Sequence, residues 1–506
     1  MDEGANAEVQ RIEVTSSGAD LINLLRLLGI ALCMSGEATS RVAAHLDQVA
    51  VAYGVHGARF FVLPTGVFVR LPFGDGEVFV DFAPAPGSTL RLDQISAVYD
   101  LLGEAKADHP APDQLAGRLT GILESPPRRS PITTVVGHMI LVVGLGMIIR
   151  PTPAGLLCFA ALGVLVGLLK LVAEIFGILS QALPVVAALL VTVVAVVLAN
   201  TLHVPQASRL IIPALVTMLP GTALTIGSME LASGEMIAGT SRLVYGLNVL
   251  LLLAFGILLG SHLIGIPAKE PAAAALGWWA PWAGVLLVGI GFFLHFSAPA
   301  RSLPWLLVVL FVVWGAQAVG TALAGGLAGA FLGGLVVTPA AYFAQSRRGG
   351  PPAQVTFLPS FWMLVPGAIG LTGVSQLVVS GSTASLNDIS QALLTIVAIS
   401  LGQLVGASLT QTAAKPSSWL EAPPQLRPVI NTRMVTPPIT LVPKNPIKFR
   451  PDATYRRLVK GTTQRRRRPL PVPALRRYLS LPSQVQTQIS LPSGSASTQN
   501  AGASAS

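Results

Sequence analysis

Residues 183–202 read LPVVAALLVTVVAVVLANTL, twenty residues without a charged side chain. At 1.5 Å per residue, one helix of that length spans the roughly 30 Å hydrocarbon core of a bilayer. Working outward, comparable apolar stretches cover approximately 132–149, 154–171, 209–228, 243–264, 277–296, 303–319, 321–344, 356–379 and 388–411, which predicts ten spans in all. Between 303 and 344 the Ala/Gly-rich sequence leaves no clear polar loop between two of them.

Composition points the same way. The 506 residues are 52% hydrophobic and 11% charged, too apolar for a water-soluble chain of this length. Residues 1–130 hold 10 basic and 16 acidic side chains, 131–411 hold 8 and 5, and 412–506 hold 15 and 2. Four regions follow: 1–130, a small α+β domain; 131–265 and 266–411, two five-helix membrane halves; and 412–506, a basic tail. That tail is rich in Pro, Arg, Ser, Thr and Gln, with the run Arg465 to Arg468, and is expected to be disordered because it has nothing to build a core from. Nucleic acid is an unlikely partner for the run, because no stacking aromatics surround it, and anionic lipid suits it better. Cys33 and Cys158 suit neither a disulfide framework nor a zinc site and are expected to pack; no metal and no cofactor is expected.

The start MDEGANAEVQ lacks the charged-then-apolar plan of a signal peptide, so residues 1–130 are expected to stay in the cytoplasm. Leu21, Leu24, Leu25, Leu28 and Leu32 have helical spacing, and Val42, Leu46, Val49 and Val51 continue on a second helix. Arg59 to Leu63, Val67 to Leu71 and Glu77 to Phe82 alternate as short strands, and Leu92 to Leu102 and Gln114 to Leu123 return to helix. With this domain inside, Arg128, Arg129, Lys170, Arg242, Arg301, Arg347, Arg348 and Lys415 fall inside, against Arg150, Arg209 and Lys269 outside. Both termini are therefore expected in the cytoplasm and the spans in the plasma membrane.

Residues 219–234 (LPGTALTIGSMELASG) and 365–381 (VPGAIGLTGVSQLVVSG) share Pro-Gly, Leu-Thr followed by Gly, and Ser-Gly. Each lies in the fourth span of its set of five. Five is odd, so successive units enter the membrane with opposite polarity, the inverted-repeat plan of many secondary transporters.

In these motifs the chain resembles the threonine/serine exporters of bacteria and fungi. The residues that carry the resemblance are Leu28-Gly29 through Gly36-Glu-Ala-Thr-Ser-Arg-Val42, Ala52-Tyr-Gly54 and Pro64-Thr-Gly66; then Leu219-Pro-Gly221, Leu224-Thr225, Gly227, Leu231, Ser233-Gly-Glu235, Gly239 and Ser241-Arg-Leu243; then Pro359-Ser-Phe361 and Val365-Pro-Gly367. Where family members commonly show Asn, Arg and Asp after the Pro-Gly break, this chain has Ile226, Met229 and Glu230. The resemblance implies ten spans, an N-terminal cytoplasmic domain and export of small neutral amino acids, threonine and serine above all.

Proline removes a hydrogen-bond donor and glycine lets the chain leave helical geometry, so Pro220-Gly221 and Pro366-Gly367 expose backbone polar groups at membrane depth. Half-helix N-termini there attract a carboxylate. Thr222, Thr225 and Ser228 in the first half, with Thr217 just before the break, and Thr372 and Ser375 in the second, offer hydroxyls to a zwitterionic substrate. Glu230 and Glu235 follow the first break and are candidates for coupling proton flow. Lys170 and Glu174 sit four apart, at a spacing for a pair on one helix face. His138, His295 and Asp388 are isolated in or beside spans, the histidines expected as hydrogen-bonded packing residues. Gly325, Gly329 and Gly333, Gly163 and Gly167, and Gly256 and Gly260 mark close helix packing. His45, Asp47, His56, Asp81 and His109 of the N-terminal domain form no catalytic motif, so no enzyme is expected. The expected function is proton-driven amino-acid export, with a homo-oligomer possible; the competing reading is a membrane-anchored ligand sensor without transport activity.

Overall fold

The structure, a computed structural model, describes residues 2–73, 77–85, 89–149, 151–204, 207–264, 276–364, 371 and 384–414. The tail beyond 414 lies outside them. All the described residues belong to one compact unit, Met1–Pro423.

Helix α1 (Asp2–Met34) buries Leu21, Leu24, Leu25, Leu28 and Leu32, the leucines whose spacing marks one face. Beyond it Gly36 has a φ of +74°, a left-handed conformation that glycine enters without a Cβ clash, and the chain turns sharply. In α2 (Thr39–Ala52) Val42, Leu46 and Val49 are buried, whereas Val51, expected on the same face, is 45% exposed. Strands β1 (Arg59–Leu63), β2 (Gly66–Phe73) and β3 (Glu77–Pro84) form an antiparallel sheet in that order, with Leu63 opposite Gly66 across the turn at Pro64–Thr65. Alternation buries Val67, Val69 and Leu71 and leaves Phe61, Phe68 and Phe82 in a row on the other face. Helices α3 (Leu92–Ala107) and α4 (Pro112–Leu123) complete this region.

From Pro131 the chain is a helical bundle. Helices α5 (Pro131–Ile148) and α6 (Pro153–Ile175) each begin with proline at the first helical turn, capped by Ser130 and Thr152 side chains. There follow α7 (Gly177–Thr201), α8 (Ser208–Ala214), a short 3-10 turn (Val216–Met218), α9 (Gly221–Ala232), α10 (Met236–Ile264), α11 (Ala280–His295), α12 (Leu303–Gln345), α13 (Ala353–Met363) and α14 (Ala384–Ala414). Among the described residues six helical segments are long and apolar enough to cross a membrane, taking Ala300–Gln345 as one.

That longest segment reverses direction. As a straight helix the 43 residues of α12 would measure about 65 Å. Instead Ala324 and Gly325 leave helical geometry, Gly325 with φ +83°, and a Cβ built on Gly320 would lie 2.8 Å from Gly329 Cα. The two arms, 303–323 and 326–345, are thus an antiparallel hairpin closed by two residues. Gly325, expected as a packing residue, is a turn residue with no atom near its missing Cβ, while Gly329 packs on Gln317 of the other arm.

The stretch 209–228, expected as one span, is interrupted instead: α8, the 3-10 turn and α9 replace a continuous helix, because Pro213 and Pro220 lack the N–H that would continue it. Helix α11 is also shorter than expected, at 16 residues.

Small residues set the helix contacts. Gly144 of α5 meets Gly284 and Val288 of α11, and Gly291 of α11 meets Leu141, the two helices running antiparallel. Gly256 and Gly260 of α10 rest on Val185 to Thr192 of α7; Gly402 and Gly406 of α14 rest on Phe331 to Pro339 of α12's second arm. Both of these pairs are parallel. Cys33 and Cys158 are free and buried.

Candidate functional site

The N-terminal region sits on one end of the bundle, the near end, where Leu92 N donates to Phe296 O (3.0 Å) and Arg301 pairs with Asp100 (2.7 Å). Helix α5 leaves this end and α8 starts at the far one. The chain therefore enters the first break from the far side, and α9 points its N-terminus back toward that side. Pro220 is non-helical (φ −83°, ψ 34°), and the first turn of α9, from Gly221, has no side-chain cap. Its leading N–H groups have no partner within the helix.

Just before that helix start, at Leu219, the chain lines a cavity of about 850 Å³. Ile148, Ile212, Val216, Leu219 and Trp314 supply apolar walls, and Arg209, Gln317 and Thr321 its polar groups. Leu219 directly precedes Pro220; Leu364, the last described residue before the second break, lines the same cavity. Pro366, Gly367, Thr372 and Ser375 lie outside the described residues, as does the side chain of Asp388. The approach to each Pro-Gly pair thus opens on one space.

In α9, Thr222 and Ser228 are half-buried, but Thr225 is fully buried and its hydroxyl has no partner among the described residues. Facing it, Ser400 of α14 donates to Thr225 O at 3.2 Å. Less than one turn further along α14 lies Gln403, 1% exposed, with neither its amide nitrogen nor its oxygen partnered among the described residues. Unsatisfied hydroxyl and amide groups in an apolar interior cost free energy, on the order of 1–3 kcal/mol each. A polar ligand that enters between α9 and α14 would relieve that cost.

Glu230, about one and a half turns beyond Thr225, is engaged elsewhere. It is 1% exposed, and its Oε1 accepts from the Thr39 backbone N–H (2.9 Å) and hydroxyl (3.0 Å). Thr39 is the first residue of α2, whose N-cap, Ala38, has no side chain able to cap. A carboxylate from α9 therefore caps a helix of the N-terminal region, where the helix dipole favours negative charge. Arg242 Nε lies 3.1 Å from Glu230 Oε2, an ion pair without hydrogen-bond alignment, while Arg242 Nη2 donates to Glu37 O (3.0 Å). Glu37 also pairs with Arg41 (3.0 Å) and accepts from Tyr99; Arg41 donates to Tyr342, and Gln354 donates to Ser35 O (3.3 Å). The segment 35–41 thus joins the N-terminal region to α9, α10, α12 and α13 through one buried polar latch. Glu235 stands beside it, half-buried, its N–H on Glu230 O (2.8 Å). Burial in this region pushes the Cys33 thiol up to about 12 and the nearby His45 imidazole, beside Lys106, down to about 4.

Gln317 is a lone glutamine in an otherwise apolar span, a signal present in the sequence, whereas Gln403 stands among the many Ser, Thr and Gln residues of α14. Arg209 was expected at an outer loop, without a link to a cavity. Lys170, expected opposite Glu174, is instead 2.9 Å from His295 Nε2. Compared with known proteins, residues 23–264 match the family described as "Putative threonine/serine exporter". No curated protein and no solved structure matches the chain.

Proposed function

We propose, from the premise that residues 23–264 belong to the threonine/serine exporter family, that this chain is a ten-span secondary transporter of the cell membrane, exporting small neutral amino acids such as threonine and serine on the proton gradient. The observation that carries the reading is the buried Thr225 hydroxyl of α9 and the buried Gln403 amide of α14, neither with a partner among the described residues. The substrate's carboxylate goes to the free N–H groups at the uncapped start of α9. Its ammonium and side-chain hydroxyl go to Thr225 and Gln403. Pro220, Gly221, Thr222 and Ser228 shape this half of the site; Pro366, Gly367, Thr372 and Ser375 are proposed to shape the other.

The parallel contacts of α10 on α7 and of α14 on α12 support two five-helix halves of like build, proposed to be inverted; the eight-to-three bias of basic residues supports both termini in the cytoplasm, which would leave the far-end cavity facing outward. Glu230 and Glu235 are the proposed coupling carboxylates, Glu230 by exchanging Arg242 for a proton. A homo-oligomer and anionic lipid at the basic tail are further proposed partners.

The test is counterflow of labelled threonine in proteoliposomes, with and without an imposed pH gradient. Gly221→Val should abolish both modes, because a β-branched side chain obstructs the break. Glu230→Gln should keep exchange and lose gradient dependence. Wild-type transport in the first variant would remove the break from the site, and unchanged coupling in the second would remove Glu230 from the proton's route.

A further inference from the structure

Three groups able to carry a proton meet inside the bundle, away from the latch. His138 of α5 and His295 of α11 are 0% and 8% exposed, their rings 5.0 Å apart edge to face. Each Nδ1 lies 2.9 Å from a main-chain carbonyl, Gly163 O for His138 and Thr134 O for His295. A carbonyl only accepts, so each Nδ1 carries hydrogen and each Nε2 of a neutral ring presents a lone pair. That fixes the other two bonds: Thr217 Oγ1 donates to His138 Nε2 (3.0 Å), and Lys170 Nζ donates to His295 Nε2 (2.9 Å).

The position of this cluster is as informative as its chemistry. Lys170, on α6, lies toward the near end and feels the exposed Glu174 one turn on. Thr217 lies at the other side, inside the 3-10 turn of the first break, between Val216 and the Met218–Leu219 pair; Val216 and Leu219 line the far-end cavity. Glu174, Lys170, His295, His138 and Thr217 therefore form a sequence of polar groups from the near end to the break, through helices otherwise packed by Gly and Leu. The groups facing the two rings are Lys170 from α6, Thr217 from the break and each ring from the other's helix; among the described residues no carboxylate bonds to either ring. Two like charges 5 Å apart beside a third disfavour one another, so the cluster holds a single proton beyond its neutral state.

We propose that His138, His295 and Lys170 are the station that holds the coupled proton inside the membrane, a role that rests on the exporter reading above. When Lys170 passes a proton from Nζ to His295 Nε2, the amine becomes neutral and the ring cationic, with no change in total charge. When His295 Nε2 gives that proton up and His138 Nε2 takes it, the His295 ring returns to neutral and the bond of His138 with Thr217 reverses: the ring donates, and the hydroxyl hydrogen turns away toward the break. Protonation thereby changes the hydrogen bonding of the residue three before Pro220, which ties the proton to the substrate site.

The experiment has two arms, both on the full-length protein. In lipid nanodiscs, ¹⁵N signals of the ring nitrogens, assigned with His138→Gln and His295→Gln, should show both rings as Nδ1–H tautomers and at least one taking up a proton between about pH 5 and 8. In proteoliposomes, His138→Gln and Lys170→Met should retain threonine exchange and lose gradient-driven accumulation, about 50-fold per 100 mV for one proton's charge. Rings that stay neutral throughout that range overturn the proposal, even where a variant fails to insert. So do variants that still accumulate threonine on the gradient. Absence of all threonine transport by the wild-type protein would instead sink the exporter reading, leaving the ring titration to be judged by itself.

Discussion

At the scale of single residues, Thr225 and Gln403 are unsatisfied groups that a stability-driven sequence would replace. Their cost in the empty protein and their value to a bound substrate make opposite predictions for one change. Gln403→Leu removes an amide without partners from an apolar interface, so the empty protein should gain stability, by about 1 kcal/mol or more, while threonine exchange falls. Thr225→Val, nearly isosteric, should behave likewise. Thermal unfolding in detergent and exchange in liposomes measure the two halves; lower stability with unchanged exchange would show that both groups already have partners. Thr225 was legible from sequence because it follows a Pro-Gly break. Gln403 was not, since α14 is rich in Ser, Thr and Gln, and only its packing on α9 beside Ser400 distinguishes it.

At the scale of elements, the lengths of apolar runs showed where helices lie, but not where they stop being helices. The hairpin in α12 is the clearest case. Its reversal needs no polar loop, because Gly325 takes φ +83° and the two arms meet through Gly320 and Gly329. Composition alone therefore left 303–344 ambiguous. Gly325→Val forces a β-branched residue into the left-handed region and should destabilise by about 1–3 kcal/mol. Gly315→Ala in the first arm, where nothing lies within 4 Å of the added methyl, should be neutral or stabilising. Comparing the melting temperatures and membrane yields of the two variants decides it: equal tolerance at 325 and 315 would mean that the arms are one continuous helix. The first break was expected at Pro220-Gly221, but not the part of Pro213, which together with Pro220 divides the stretch into α8, a 3-10 turn and α9.

At the scale of the whole molecule, the far end carries an open cavity while the near end is closed by the latch that segment 35–41 makes with four bundle helices. The motif Gly36-Glu-Ala-Thr-Ser-Arg41 was visible in the sequence as a family-like signature, but its purpose was not, because Glu37, Thr39 and Arg41 meet their partners at Glu230, Arg242 and Tyr342 only in the folded chain. A transporter must open each end in turn, and on the proposed exporter reading, with the near end toward the cytoplasm, that end has to come apart at those contacts to admit substrate. Truncating Glu230 or Arg242 outright would cost on the order of 3–5 kcal/mol and confuse docking with folding, whereas Glu230→Gln keeps the oxygen that accepts from Thr39; a reversible lock tests the docking itself. Gln354 Nε2 lies 3.3 Å from Ser35 O, so cysteines at 35 and 354, in a chain whose own Cys33 and Cys158 have been replaced by serine and alanine, are within reach of a short bis-methanethiosulfonate that joins them through two disulfides. In that oxidised, bridged form the variant should stop both exchange and gradient-driven efflux, and a thiol reductant should restore them. Binding of threonine from the far side, measured on the oxidised protein, should survive, since neither the cavity nor the start of α9 includes a locked residue. Full transport through the oxidised form would show that the near end opens without undocking segment 35–41, and the latch would then be an anchor rather than a gate.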